Sequence, residues 1–124
     1  MSITLTDREA DLMAVLWEHG SSTVAEVRAG LTDDLAYTTV LTILRTLESK
    51  GYVTHDADGR AHRYSAAVER DSARRSALQA LADKLFMGST SLLLSHLVSD
   101  RQLTESDIDR LRELLEQRAD TESD

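Results

Sequence analysis

The chain has 124 residues, 41% of them hydrophobic and only 4% aromatic, which predicts one small domain, with or without an extension, around an aliphatic core. It contains no cysteine, which excludes disulfides, thiolate metal sites and cysteine nucleophiles. The net charge is −8, from 6 basic and 10 acidic residues in 1–65 and 8 and 12 in 66–124. This disfavours non-specific nucleic-acid binding but leaves room for a specific contact by a few well-placed cations.

No stretch of the sequence is apolar enough to cross a membrane, and MSITLTDREA does not resemble a signal peptide. We therefore expect a soluble, cytoplasmic protein with no membrane contact of its own. The sequence also has no proline, which suits a chain of helices.

Two T-x-x-E capping boxes, Thr6–Glu9 and Thr23–Glu26, predict the starts of the first two helices. The first helix is expected to end at Gly20 and the second, shorter one near Ala29. The apolar residues predicted to face the core are Ala10, Leu12, Met13, Ala14, Val15, Leu16, Trp17, Val24, Ala25 and Val27.

A third helix is predicted over Ala36–Lys50, with one apolar and one polar side. Threonine offers a hydroxyl and a methyl group, and arginine can bond guanine through two hydrogen bonds, so the polar side fits a DNA major groove. A plain solvated face is the alternative, but it would favour better helix formers than threonine. The apolar side holds Val40, Ile43, Leu44 and Leu47; the polar side holds Thr38, Thr39, Thr42, Arg45, Thr46 and Ser49.

A β-hairpin is predicted directly after this helix. Gly51 ends the helix, Asp58–Gly59 signals a turn, and strands are expected over Tyr52–His55 and Arg60–Ser65. The second and third helices form a helix-turn-helix, and the hairpin completes a winged helix over residues 1–66. On the hairpin, Arg60, His62 and Arg63 are expected to contact phosphates or a minor groove, and Tyr64 to lie in the core.

Three further helices are predicted in residues 67–124, ending in a frayed polar tail after Gln117. The first begins at Arg70 and ends at Gly88, the second contains SLLLSHLV, and the third follows a turn at Asp100–Gln102. The middle helix is apolar nearly all round, which favours a two-fold homodimer over packing onto the chain's own winged helix. The predicted dimerisation residues are Leu78, Leu81, Leu85, Leu92, Leu93, Leu97, Ile108, Leu111 and Leu115.

Two other classes of function are open to such a chain. A winged helix can serve protein–protein contact alone, which the negative charge favours and the placement of threonine and arginine disfavours. His55 and His62, on opposite arms of the hairpin, could bind a metal with Asp56 or Asp58, although such a surface pair is more often solvated. No catalytic spacing or phosphate loop stands out, so we expect neither an enzyme nor a cofactor.

The segment LAYTTVLTILRTLESKGYVTHDADGRAHRYSA resembles the signature region of the BlaI/MecI/CopY family of bacterial transcriptional repressors. The opening LTDREADLMAVLWEHGSSTVAEV is similar to that family's first two helices, including its L-x-x-x-E-x-x-[IVL]-M-x-x-[IVL]-W pattern. The order of the three C-terminal helices also fits the family.

The resemblance implies a mainly α fold, with a winged helix-turn-helix DNA-binding domain followed by a three-helix dimerisation domain. It implies a homodimer that binds an inverted-repeat operator in double-stranded DNA. In β-lactam-resistance members a membrane-bound sensor metallopeptidase cleaves the middle dimerisation helix, which corresponds to about Leu92–Val98 here. That stretch lacks an Asn–Phe bond, and the chain lacks the cysteine motif of copper-responsive members.

Overall fold

The computed structural model describes residues 2–100 and 102–123, and it is mainly helical. The predicted turn at 100–102 includes Arg101, which lies outside the described residues. The chain divides into two compact units, Met1–Ala80 and Leu81–Asp124, so the boundary falls within the fourth helix. The elements in chain order are α1 (Asp7–His19), β1 (Ser22–Thr23), α2 (Val24–Gly30), α3 (Tyr37–Ser49), β2 (Val53–Asp58), β3 (Ala61–Ala66), α4 (Arg70–Leu85), α5 (Thr90–Asp100) and α6 (Glu105–Ser123).

Both predicted capping boxes are present. The Thr6 side chain accepts a hydrogen bond from the Glu9 backbone N–H at the start of α1, and Thr23 does the same for Glu26 at the start of α2. Each glutamate carboxylate in turn accepts a hydrogen bond from the backbone N–H of its threonine, so that a second backbone donor at the start of the helix has a partner. Gly20 ends α1 with a positive φ of 79°, a conformation that glycine adopts without strain.

The inward face of α1 differs from the predicted one. Leu12, Met13 and Leu16 are buried with Glu9, whereas Ala10 and Ala14 are exposed. The larger side chains face the core because they bury more apolar area, and the two alanines then lie on the outward side of the helix. Ala25 of α2 is likewise exposed, contrary to the prediction.

The sheet has three antiparallel strands in the order β1-β3-β2. The hairpin is longer than predicted, and its turn lies at Gly59, whose φ is 63°. Strand β1 was not predicted; it pairs Ser22 with Tyr64 and Thr23 with Arg63. This pairing ties the wing to the segment between α1 and α2.

The core of the first unit is formed by α1, α2, α3 and one face of the sheet. Leu12, Val40, Leu44 and Leu47 are fully buried, and the predicted core position of Tyr64 is confirmed, with 2% of its surface exposed. The start of α4 packs on the same core through Ala73. One face of α3 is thereby fixed, and the opposite face remains free.

The second unit contains the end of α4 together with α5 and α6. Ala82 and Leu93 are its buried residues among those described, and the Ser89 side chain accepts a hydrogen bond from Leu92 N–H in the first turn of α5. Helix α6 continues to Ser123, beyond its predicted end near Gln117, and an Arg118–Glu122 ion pair at 3.0 Å spans its last turns. Over the described residues, every helix is too short or too polar for a transmembrane span.

Candidate nucleic-acid interface

The polar side of α3 is the exposed side. Thr38, Thr39, Thr42, Arg45, Thr46 and Ser49 are all exposed. Thr42 donates its hydroxyl hydrogen to the Thr38 carbonyl at 2.9 Å, and Thr46 donates to the Thr42 carbonyl at 3.0 Å. These two threonines therefore present methyl groups and oxygen lone pairs outward, whereas Thr38 and Thr39 keep free hydroxyl hydrogens within the described structure.

Most of the positive charge of residues 1–65 is already paired. Ion pairs join Arg8 to Asp33, Arg28 to Asp34 at 3.7 Å, Lys50 to Glu9 at 2.8 Å and Arg63 to Glu26 at 3.1 Å. Within the part of the chain that the structure describes, Arg45 and Arg60 have no such partner. Among the described residues of 1–65, these two guanidinium groups are therefore the cations available to an external anion.

Arg45 and Arg60 line one groove, which lies between α3 and the wing. His62 of β3 lines it too, together with Tyr37 and Tyr64. Burial raises the pKa of the Tyr64 hydroxyl, and the nearby Glu48 charge raises it further, so Tyr64 stays neutral at the inner side of the groove. The groove brings Arg45 of the predicted reading helix together with two of the three predicted wing contacts, Arg60 and His62.

Tyr37 is a residue of this surface that the sequence analysis did not assign to DNA. It is the first residue of α3, and 49% of its surface is exposed. Aromatic residues are rare in this chain, and an exposed one is informative because tyrosine usually buries its ring. The sequence signal was its place at the start of the reading helix, one residue before Thr38.

The third predicted wing residue, Arg63, is held inside the domain. Its guanidinium donates to Glu26 Oε1 and to the Ser21 carbonyl, both at 3.1 Å. Alternation along β3 places it on the sheet face opposite His62 and Tyr64. The predicted phosphate contact of Arg63 stays a prediction, and it would have to share a group that now links the wing to α2.

An ion pair between the exposed Lys50 and the buried Glu9 fixes the C-terminal end of α3. Lys50 Nζ donates to both carboxylate oxygens of Glu9 at 2.8 Å, and Glu9 is only 4% exposed. Burial is the largest single influence on this carboxyl and alone would raise its pKa, but the bonds from Lys50 and Thr6 and the Lys50 charge together lower the pKa below 4.5. The pair anchors α3 to the capping box of α1, and it engages the Lys50 ammonium group within the domain.

The two hairpin histidines are neighbours, as the sequence analysis allowed. The rings of His55 and His62 stack with centroids 4.6 Å apart and an angle of 16° between their planes. His55 Nδ1 is hydrogen-bonded to Glu48 Oε2 at the end of α3. The described residues contain no group of three or more histidine and acidic side chains arranged to hold a metal ion, and Asp56 lies on the opposite face of the sheet.

The predicted dimerisation residues are, with one exception, at least partly accessible. Leu93 is 7% exposed and packs inside the second unit, and Leu111 is half-buried. The remainder are exposed apolar side chains on three helices: Leu78, Leu81 and Leu85 of α4, Leu92 and Leu97 of α5, and Ile108 and Leu115 of α6.

A winged helix with an exposed, threonine- and arginine-bearing third helix and a cationic groove beside its wing defines a DNA-binding transcription regulator. The solution structure of Bacillus licheniformis BlaI, in its monomeric form in complex with the blaP half-operator, matches 58% of this chain and 90% of that chain. The TM-score is 0.50 and the sequence identity 28%. A MarR family protein from Bacillus stearothermophilus shares the fold, with a TM-score of 0.52 and 16% identity over 98% of this chain and 78% of that chain.

Sequence comparison narrows the class to a family. The family model described as penicillinase repressor matches residues 5–117. The transcriptional regulator BlaI of Mycobacterium tuberculosis is 37% identical over 107 residues, covering 83% of this chain and 78% of that protein. The penicillinase repressor of Bacillus licheniformis is 24% identical over 115 residues, covering 91% and 90%. The chain therefore belongs to the penicillinase repressor family, as its resemblance to BlaI, MecI and CopY indicated, and it is a DNA-binding transcriptional repressor.

Proposed function

We propose that this repressor binds an inverted-repeat operator as a homodimer, with α3 of each subunit in a major groove and each wing against the adjacent backbone. The proposal depends on one observation. The polar face of α3 is exposed, and Arg45 on that face and Arg60 on the wing have no ion-pair partner in the described structure. The structure of Bacillus licheniformis BlaI holds the monomeric form in complex with a half-operator, and a half-operator is the DNA that one winged-helix domain of this chain would contact.

Each polar side chain of α3 has a proposed role. Thr38 and Thr39 contact bases through their hydroxyl groups, whereas Thr42 and Thr46 offer methyl groups because their hydroxyl hydrogens are bonded within the helix. Arg45 bonds guanine, and Ser49 lies at the end of the same face. On the wing, Arg60, His62 and Arg63 contact phosphates, which position the protein without reading sequence.

The dimer proposal is supported by the apolar side chains that the second unit and α4 leave exposed. Leu85 is 67% exposed and Leu115 is 58% exposed, and several further leucines lie on the same three helices. Apolar surface of this extent on a small protein commonly marks an interface. A second copy of the chain would supply the missing cover by two-fold symmetry.

Footprinting of the DNA upstream of the chain's own gene would locate the operator and test the proposal. Fluorescence anisotropy would then compare the intact operator, one half-site and a scrambled duplex of the same length. We expect the affinity to be highest for the operator, lower for the half-site and lowest for the scrambled sequence. The operator should exceed the half-site because both winged-helix domains of the dimer bind it at once. Equal affinity for all three duplexes would refute a sequence-reading repressor.

Proteolytic release by a membrane-bound sensor metallopeptidase is supported by the family resemblance alone. In this chain the corresponding stretch is helical and contains the buried Leu93, so a peptidase would have to unwind α5 before cleaving it. If a peptidase gene adjoins this one, co-expression followed by mass analysis of the fragments would test the proposal. Intact repressor in induced cells would contradict it.

A further inference from the structure

Arg45 and Glu48 lie three residues apart on α3, a spacing at which a base and an acid on a helix are neighbours and attract each other. Arg45 is exposed and Glu48 is half-buried. Burial raises the pKa of the Tyr64 hydroxyl, the Glu48 charge raises it further, and the Arg45 charge lowers it, so both charges lie near this one group. An acid thus adjoins the arginine that we assign to a base contact.

Glu48 has a different partner in the structure. Its Oε2 atom is hydrogen-bonded to Nδ1 of His55 on β2. Arg45 has no ion-pair partner among the described residues. The Glu48 carboxylate is therefore engaged by the wing, and the Arg45 guanidinium remains available to another acceptor.

The packing of the His55 ring explains why Glu48 bonds the wing. The ring stacks on His62 with centroids 4.6 Å apart, and it lies against Tyr64, its direct partner on β3, with centroids 5.4 Å apart. Because these contacts already hold the imidazole, its bond to Glu48 costs little further conformational entropy. A pair between Glu48 and the exposed Arg45 would have to immobilise a long side chain in water, which cancels much of its gain.

We propose that His55 is a positioning residue of the repressor, which holds the Glu48 carboxylate away from Arg45 and so leaves Arg45 free to bond a base. The proposal rests on the proposed function, in which Arg45 bonds guanine. Without His55, Glu48 pairs with Arg45, and the operator has to displace the carboxylate before the guanidinium can bond. Displacing an exposed partner of this kind should lower the affinity for the operator by about two- to fivefold.

The test is the ratio of the affinities of the full chain for the operator and for a scrambled duplex, measured by fluorescence anisotropy. His55→Phe keeps a ring that can stack on His62 but lacks the nitrogen that bonds Glu48, and the ratio should fall by about two- to fivefold. Adding Glu48→Gln should restore the ratio, because the amide carries no charge to pair with Arg45. In an Arg45→Ala chain, His55→Phe should cause no further change in the ratio.

The rescue by Glu48→Gln separates this role from a structural one, because a second substitution would not repair a damaged wing. His55→Thr repeats the test with a residue that suits a strand and is too short to reach Glu48. His19→Phe is the matched control, at an exposed histidine at the end of α1, and it should keep the wild-type ratio.

Two results would overturn the positioning role and leave the repressor function standing. One is a ratio that is unchanged in both His55 variants, and the other is a fall in the ratio that persists after Glu48→Gln is added. Equal affinity of the wild type for the operator and the scrambled duplex would overturn both the positioning role and the proposed function.

Discussion

Arg45 lies on the exposed face of α3 without an ion-pair partner among the described residues, and we assign it to a base contact. Arg45→Ala should weaken operator binding by about 1–3 kcal/mol if the lost contact is bidentate to guanine. Binding to scrambled DNA should change little. Arg74→Ala, at an exposed arginine of α4, is the control. An equal loss on operator and scrambled duplexes would instead make Arg45 a phosphate contact.

The Glu9–Lys50 pair gives a prediction for stability. Glu9→Gln should lower the free energy of unfolding at neutral pH by about 1–3 kcal/mol, because it weakens a charged hydrogen bond in a buried place. Since the pKa of Glu9 is lowered in the folded state, the pair stabilises the fold above the ordinary pKa of a glutamate, and this stabilisation is lost as the pH falls through the folded value.

The difference in the free energy of unfolding between wild type and Glu9→Gln should therefore be full at neutral pH and shrink in acid, as measured by urea unfolding. Glu18→Gln is the control, because its partner Arg70 lies at 3.6 Å in an exposed pair that contributes little. A difference that stays constant down to acid pH would show that the Glu9 charge does not stabilise the fold.

On the wing, the contributions of Arg60 and Arg63 to DNA binding and to stability can be separated, although the two residues are close in sequence. Arg60→Ala should weaken binding to every DNA sequence and reduce the salt slope by about 0.9 per lost phosphate contact, with no change in thermal stability. Arg63→Ala should lower the melting temperature as well, because it removes the bonds to Glu26 and Ser21. Identical behaviour of the two variants would contradict this division.

The sequence predicted α3 closely, since its apolar spacing repeats over 13 residues and Gly51 marks its end. Strand β1 could not be predicted, because a two-residue strand has no pattern of its own and exists only through pairing with Tyr64 and Arg63. The same holds for Lys50, whose partner Glu9 lies 41 residues away in sequence. The sequence alone therefore could not show which cations remain available for DNA, because ion pairing depends on the tertiary structure.

For the molecule as a whole, the charge balance indicates that one winged-helix domain (one head) is insufficient for tight binding to DNA. The chain carries a net charge of −8, and four of the six cations in residues 1–65 are engaged in ion pairs. Few phosphates can then be neutralised by a single head, so a monomer should bind DNA weakly at physiological salt. Joining two heads raises affinity through effective concentration, by roughly 10²–10⁴-fold and without new contacts.

Leu97 of α5 allows the dimer to be tested in the full chain. It is 44% exposed, so Leu97→Asp should leave each chain folded, whereas the buried Leu93 could not be changed without disturbing the unit itself. An unpaired charge placed in an apolar interface costs several kcal/mol. The variant should sediment as a monomer, keep its affinity for a half-site and lose roughly 10²–10⁴-fold on the operator.

Ser99→Asp, which adds the same charge at an exposed polar position of α5, should remain dimeric. If the wild type itself sediments as a monomer at micromolar concentration and still binds its operator tightly, the dimer is wrong. Cleavage of α5 would then not explain induction either, because cutting that helix would separate nothing.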